Sequence, residues 1–402
     1  MSHRTVISLG LVAALSTIFA CSAAGDGGDG FEAGRSSGGP SGAGPGGDPG
    51  ATSGFNPSTG NGTPGESCLN APDTDGDGDG FRGDEGDCND CDRNSNPGAV
   101  EAVGGDGPPA DEDCDGVVDN IIFCDDGIAV EDFDPYVGAR ALDLCSQAGP
   151  ADRKHGVIEA RYVRASGANA GGSPQVGVLA GFGPNVNVQG GQRMLAFSSG
   201  AARTPDQIDS CDGFSCTGYG AGSAPQGFPQ DVPNCPGAQN INDDVGLELK
   251  LRAPTNATGY GFNFKLYTFE YPEYICTEWN DQFITLVSPP PPDSLNGNIS
   301  FDKQNNPVSV NIAFFDVCPG CALGDAELVG TGFDGSLGDE GGATSWLETQ
   351  APIGAGEEFT IRFAIWDTGD QYLDSTVLVD RFQWIADGGA VVVGTDPVAD
   401  PK

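Results

Sequence analysis

The chain has 402 residues and carries 58 Asp+Glu against 18 Lys+Arg, a formal charge of −40, so repulsion excludes a nucleic-acid backbone as partner and makes cations the natural counterparts. With 64 Gly, 29 Pro and only 38% hydrophobic residues, the chain must divide into segments rich in Val, Ile, Phe and Leu that form a core and segments that do not. Its two histidines, His3 and His155, are too few for a His-rich zinc site, and a Ser-His-Asp or Cys-His arrangement would have to rest on one of them.

The chain opens on "MSHRTVISLGLVAALSTIFAC", a basic start followed by an apolar run of about a dozen residues, which reads as a secretory signal over residues 1–20 and is too short for a final membrane span. Ile18-Phe19-Ala20-Cys21 resembles a bacterial lipobox. That resemblance implies cleavage before Cys21 and acylation of its thiol, anchoring the protein to a membrane through the lipid. Ordinary cleavage with Cys21 as half of a disulfide is the alternative. Setting Cys21 aside from the 13 cysteines leaves 12, an even number that favours disulfides in an exported chain. Residues 21–66 hold few apolar side chains and read as a disordered Gly/Ser/Pro tether.

Residues 67–124 form an acidic module beginning "DTDGDGDGFRGDEGDC" (Asp73 to Cys88). Asp73, Asp75 and Asp77 with Gly78 fit the first half of an EF-hand-like calcium loop, and Asp84 falls at the twelfth position, although no helical pattern flanks it. Asp79, Asp87, Asp90, Asp92, Glu101, Asp111, Asp113, Asp115 and Asp119 complete the candidate metal ligands. The run resembles the MopE-like acidic metal-binding motif of myxobacterial-type surface proteins, carried here by Asn96-Pro97-Gly98-Ala99, Glu101 and the "DEDCDG" box in order. The resemblance implies calcium held by oxygen ligands in a disulfide-stapled coil. A disordered acidic spacer is the alternative.

Asp134-Pro135 followed by "YVGARALDLCSQAG" predicts one helix running to a stop at Gly149-Pro150. From 156 to 386 the sequence alternates in twos, in "GVIEARYVRA", "VGLELKLRAP", "YGFNFKLYTFEY", "DQFITLV", "NISFD", "VSVNIAFFDV", "AELVGTG", "EFTIRFAIWD" and "STVLVDRFQW". The predicted fold is therefore mainly β. It is an antiparallel β-sandwich, jelly-roll-like, over residues 130–387, with one short helix at its N-terminal side and a flexible tail at 388–402. "GPNVNVQGGQRMLAFSSGAA", "FEYPEYICTEWNDQF", "GGATSWLETQAPIGAGE" and "FAIWDTGDQYLDSTVLVDRFQW" resemble the choice-of-anchor L family. That likeness, running from about Asp134 to Trp384, implies a β-sandwich surface module and no reaction.

Two polar clusters interrupt the apolar strands: Glu270, Glu273, Asn280 and Asp281, then Asp367, Asp370, Asp374 and Asp380. They read first as turn residues bonding backbone amides. The alternative is a second calcium site at a sandwich edge, formed by Glu270, Asn280, Asp281, Asp367, Asp370, Asp374 and Asp380. Cys211, Cys216, Cys235, Cys276, Cys318 and Cys321 are expected in disulfides. "GTGFDG" (Gly330 to Gly335) lacks a following helix, so no nucleotide site is expected.

The sequence thus describes a calcium-binding protein on the cell surface or outer membrane, lipid-anchored through Cys21. It would bind, adhere or build structure through a surface glycan or protein ligand, without catalysis. A carbohydrate-active enzyme using paired carboxylates such as Glu270 and Glu273 is the other class. Exposed Trp279 or Trp346 would favour the binding reading.

Overall fold

Leu247, Leu249 and Leu251 are buried along one face of β4 (Ile241–Arg252), while Glu248 and Lys250 face the other way, as a period of two requires. Glu248 is also enclosed on that outer face, where Arg161 and Arg362 both reach its carboxylate. The computed structural model describes residues 72–103, 108–216, 218–386, 389–399 and 401. Cys21, the signal over 1–20 and the tether over 21–66 lie outside the described residues.

Two antiparallel sheets form the sandwich. In the first, β1 (Gly156–Val163), β4, β11 (Glu358–Thr368), β6 (Gln282–Ser288) and β7 (Val308–Ser309) lie side by side in that order. In the second the order is β13 (Gly394–Pro397), β10 (Leu347–Pro352), β5 (Gly259–Thr268), β12 (Ser375–Ile385), β3 (Met194–Ser198) and β2 (Val176–Leu179). Two short strands, β8 (Phe315–Val317) and β9 (Gly342–Thr344), extend from β5. The sheets meet through aromatic side chains: Phe262 of β5 sits edge-on to Phe363 of β11 at 5.0 Å, and Phe264 lies 5.3 Å from Phe283 of β6. Loops cover the outer faces as well. Trp366 packs with Phe228 and Ile284 outside the first sheet, and Phe182, Tyr267, Phe333 and Trp346 form a layer outside the second. Trp346 is therefore core rather than an exposed binding aromatic.

Several local expectations change. The helix α1 covers only Pro135–Arg140, with the Asp134 carboxylate capping Tyr136 N–H at 2.9 Å. It ends early because Asp143 adopts a left-handed φ of 66° and Gln147 then bridges to Val157 of β1. Leu142 and Leu144 are buried without being helical. "AELVGTG" (326–332) forms turns instead of a strand, with Gly330 and Gly332 at φ 72° and 99°. The expected tail contributes β13, whose Thr395 hydroxyl hydrogen-bonds that of Thr349 at 2.8 Å.

Disulfides join Cys88 to Cys114, Cys124 to Cys145, Cys211 to Cys216, Cys235 to Cys276 and Cys318 to Cys321. Cys91 is also disulfide-bonded. Among the described residues no helix is long and apolar enough to cross a membrane.

The acidic segment is folded against the sandwich. Thr255 N–H donates to Gly98 O at 3.0 Å, Arg153 pairs with Glu85 at 2.9 Å, and the Arg153 guanidinium stacks over Phe81 at 4.4 Å. Gly98 is required there, since a Cβ would stand 2.9 Å from the Thr255 methyl. Asn256 and Asn298, both in N-glycosylation patterns, are enclosed in the fold.

Candidate metal centres

The acidic segment contains the same loop twice. In "DGDGDGF", Gly80 N–H donates to Asp75 Oδ2 at 3.1 Å, Asp79 N–H to Asp77 Oδ1 at 3.1 Å, and Phe81 N–H to Asp79 Oδ1 at 2.7 Å. In "DEDCDGV", Gly116 N–H donates to Asp111 Oδ2 at 3.0 Å, Asp115 N–H to Asp113 Oδ1 at 3.0 Å, and Val117 N–H to Asp115 Oδ1 at 2.7 Å. Each loop closes on a glycine in the left-handed region, Gly80 at φ 96° and Gly116 at φ 94°. The repeat is D-x-D-x-D-G, with ligand positions at alternate residues as in the first half of an EF-hand loop. The first loop thus starts at Asp75, two residues after the register expected from Asp73.

In each loop the carboxylates converge. One oxygen from each of Asp75, Asp77 and Asp79 lies within 4.8 Å of the others, and the same holds for Glu101, Asp111, Asp113 and Asp115. Asp87 and Asp90 stand behind the first group, where their charges act on Asp77. Asp90 Oδ1 accepts Gly76 N–H at 2.8 Å. Asp119 joins Glu101 and Glu112 in a third grouping. Glu112 was not among the expected ligands; its place inside the "DEDCDG" box was the available signal.

Besides Asp87 and Asp90, three more of the expected ligands lie outside these groups. Asp84 lies in a short 3-10 turn and pairs with Arg82 at 3.1 Å, Asp92 bonds Asn94 N–H at 3.2 Å, and Asp73 is exposed.

Several buried oxygens of these residues lack partners. Asp77 Oδ2, Asp79 Oδ2, Asp87 Oδ2 and Glu101 Oε1 are all buried without a hydrogen bond. Burial, followed by neighbouring carboxylates, raises Asp77, Asp79, Asp87 and Asp113 above the usual aspartate range. Glu101 is pushed up to about 8 by burial and by the Glu112 carboxyl beside it. A metal ion held by these oxygens would supply the charge and the coordination that the groups lack.

The two polar clusters of the larger domain converge as well. The register of β11 on β6 pairs Trp366 with Gln282, which brings the ends of those strands, Asp367 and Asp281, to the same end of the sandwich. Glu270 follows β5 and Asp374 precedes β12 in the opposite sheet. Asp281 Oδ1 accepts Thr368 N–H at 2.9 Å, its Oδ2 accepts the Ser375 hydroxyl at 2.6 Å, and its own N–H donates to Glu270 Oε2 at 3.2 Å. Asp374 Oδ2 accepts Cys216 N–H at 2.7 Å. Burial pushes Asp281 and Asp374 up to about 7, and it raises Glu270 and Asp367 well above their usual ranges, with the neighbouring carboxylates adding to it.

Asp243, missed in the sequence, adds a buried carboxylate whose charge acts on Asp374. It sits where the pairing of β4 with β11 shifts register, in a left-handed conformation at φ 49°. Asp380 lies apart and follows the turn reading, with Oδ2 accepting Gln189 N–H at 2.6 Å and Oδ1 accepting Arg381 N–H at 2.6 Å. Asn280 Oδ1 accepts Asn311 Nδ2 at 2.6 Å. Glu270 is buried while Glu273 is exposed, so these two do not face one another as a hydrolytic pair.

Comparison with known proteins bears on the sandwich alone. Residues 222–382 match the Choice-of-anchor L domain. No curated protein and no solved structure matches the chain. The Choice-of-anchor L match begins after β3, later than the resemblance seen in the sequence, yet β1, β2 and β3 complete the same two sheets. A Choice-of-anchor L domain points to a surface-associated or exported protein.

Proposed function

We propose that this is a lipid-anchored bacterial surface protein of the outer membrane, in which calcium holds the acidic segment in its folded form against a binding or adhesive β-sandwich. The observation that carries the reading is the duplicated loop with buried, unpartnered oxygens: Asp77 Oδ2 and Asp79 Oδ2 in one centre and Glu101 Oε1 in the other. Carboxylates about 5 Å apart at an effective dielectric of about 20 repel by roughly 3 kcal/mol per pair, and the segment buries few apolar side chains to offset this. Phe81 and Ala99 are the nearest its described residues have to a core.

Calcium accepts six to eight oxygens with flexible geometry, which suits an all-carboxylate loop better than the strict octahedron of magnesium. Attachment to the membrane would run through the lipid on Cys21, and the sandwich would meet a surface glycan or protein ligand. Equilibrium dialysis of the full chain against radioactive calcium tests the reading. Asp75→Asn with Asp77→Asn should remove one ion, and Asp111→Asn with Asp113→Asn another. Unchanged calcium content in both variants would overturn it.

A further inference from the structure

The carboxylates at the end of the sandwich raise a separate question, because nothing of opposite charge meets them. Glu270, Asp281, Asp367 and Asp374 are each at most 5% exposed, and among the described residues no Lys or Arg pairs with any of them. Of the buried cations of this domain, Lys265 pairs with Glu327 and Arg252 with Glu358, while Arg203 donates to the carbonyls of Val176 and Ala202. An isolated ionised carboxylate in such surroundings is prohibitively costly.

Asp367 is the decisive member. Neither of its oxygens has a hydrogen-bond partner although the residue is 1% exposed, and Asp374 Oδ1 is orphaned in the same way. The Ser199 hydroxyl is near enough to favour the ionised form of Asp367, yet it donates to Ser375 O at 3.4 Å. Asp367 lies within electrostatic reach of both Asp281 and Asp374. Buried acceptors are ordinarily satisfied, and this fold satisfies Asp380, Asp244 and Asp302 with backbone or side-chain donors. Buried Asp125 and Asp243 each leave one oxygen unpartnered, as Asp374 does, but among the described residues Asp367 is the buried carboxylate that leaves both, and this calls for a ligand.

We propose that Glu270, Asp281, Asp367 and Asp374 bind a calcium ion between the two sheets, as a second kind of cation site independent of the acidic loops. Oxygen-only donors of this number select a hard cation, and the remaining coordination can come from backbone carbonyls and water. Asp370, half-buried next to the group, adds negative charge at its rim, where an incoming cation would first meet it. Among the described residues the tight groupings of ligand atoms lie in the acidic loops and at Cys211, Cys216 and Asp374. That last pair of sulfurs is a disulfide and not a ligand set. The ion would therefore draw the carboxylates inward and tie β5 and β12 of one sheet to β6 and β11 of the other.

The test uses the full chain with Asp75, Asp77, Asp79, Asp111, Asp113 and Asp115 all changed to Asn, which silences the acidic loops. This variant should retain one calcium ion per chain in equilibrium dialysis, and a chelator should lower its unfolding temperature. Adding Asp281→Asn and Asp367→Asn, near-isosteric changes that keep the volume of the site, should abolish both effects while the far-ultraviolet circular dichroism stays that of the parent. A loop-silenced chain that holds no calcium and unfolds at the same temperature with or without chelator would overturn the proposal. So would calcium retention unaffected by the two added changes. Equal calcium content in the wild type and the loop-silenced chain would sink the acidic-loop reading and leave this site standing.

Discussion

Asn256 and Val100, 156 positions apart in the chain, form a reciprocal pair: Asn256 Nδ2 donates to Val100 O at 2.7 Å and Val100 N–H donates to Asn256 Oδ1 at 3.0 Å. A side-chain amide thus takes the place of a neighbouring strand and fastens the acidic segment to the sandwich. Its neighbour Thr255 adds a hydroxyl bond to Asn96 Oδ1 at 2.7 Å.

Asn256→Ala removes both bonds and leaves the N–H and C=O of Val100 to find other partners, at a cost of about 1–3 kcal/mol. The loss should fall on docking of the acidic segment. Amide exchange at Val100 and Ala99 should accelerate, and protease cleavage in the segment around 100–110 should increase, while exchange in β4, β5, β11 and β12 stays slow. Equal exchange at Val100 in both proteins would mean that Arg153 and Phe81 hold the segment without this pair.

The β-sandwich was legible because its strands alternate: Leu247, Leu249 and Leu251 declare a buried face regardless of context. The loop at Asp75 was legible in kind but not in register, since "DTDGDGDG" offers carboxylates at four successive odd positions and only the backbone bonds to Asp75 and Asp79 choose among them. The meeting of Glu270 and Asp281 with Asp367 and Asp374 was legible only as the alternative to turn residues, from the oxygen-only composition of the two clusters. It depends on which strands from two sheets end at the same corner, and strand order across a sandwich leaves no local signature. Docking of the acidic segment was hidden for a similar reason, because Asn256 lies in a turn whose sequence only suggests a polar loop.

Lys265 shows how much a buried charge depends on its partner in this fold. It is fully enclosed on β5, its Nζ 2.7 Å from Glu327 Oε2 and bonded to Thr344 O. Burial lowers its affinity for the proton, and Glu327 opposes that. Glu327→Ala strands the ammonium and should cost about 1–3 kcal/mol, below the roughly 3–5 kcal/mol of a fully buried pair because Glu327 is a third exposed and water can replace it. Lys265→Met removes the charge that needs compensation and should cost less. Urea denaturation at pH 7 compares the two, and a larger loss for Lys265→Met would show that the methylene stem and its contact with Thr344 matter more than the charge.

Cys21→Ala should release the protein from membranes, because the lipid is the anchor in the proposed reading and no described helix can span a bilayer. Fractionation of cells, with the wild type recovered only by detergent and the variant in the soluble fraction, is the measurement. A variant that still requires detergent would mean that another element provides attachment.

Asp374 supplies the last prediction, a dependence of stability on pH whose sign is unusual for a carboxylate. Its carboxyl is raised from 3.8 to about 7 by burial, with Asp281 and Asp243 adding to the effect against the Cys216 N–H. With calcium removed by chelator, the folded chain keeps a proton on Asp374 across that window while the unfolded chain has lost it. The native state then binds more protons, so its stability is complete below pH 3.8 and falls as pH rises through about 7. For one such group the slope approaches about 1.4 kcal/mol per pH unit, and Glu270, Asp281 and Asp367 act in the same direction. Asp374→Asn cannot titrate and should show a shallower decline, the difference from wild type isolating this residue. Saturating calcium should flatten the wild-type curve above pH 6, because an ion that takes the place of the proton removes the advantage of the protonated form. Urea unfolding between pH 4 and 8, with chelator and with calcium, decides the matter, and identical slopes for wild type and Asp374→Asn in chelator would show that this carboxyl is ionised in the folded chain.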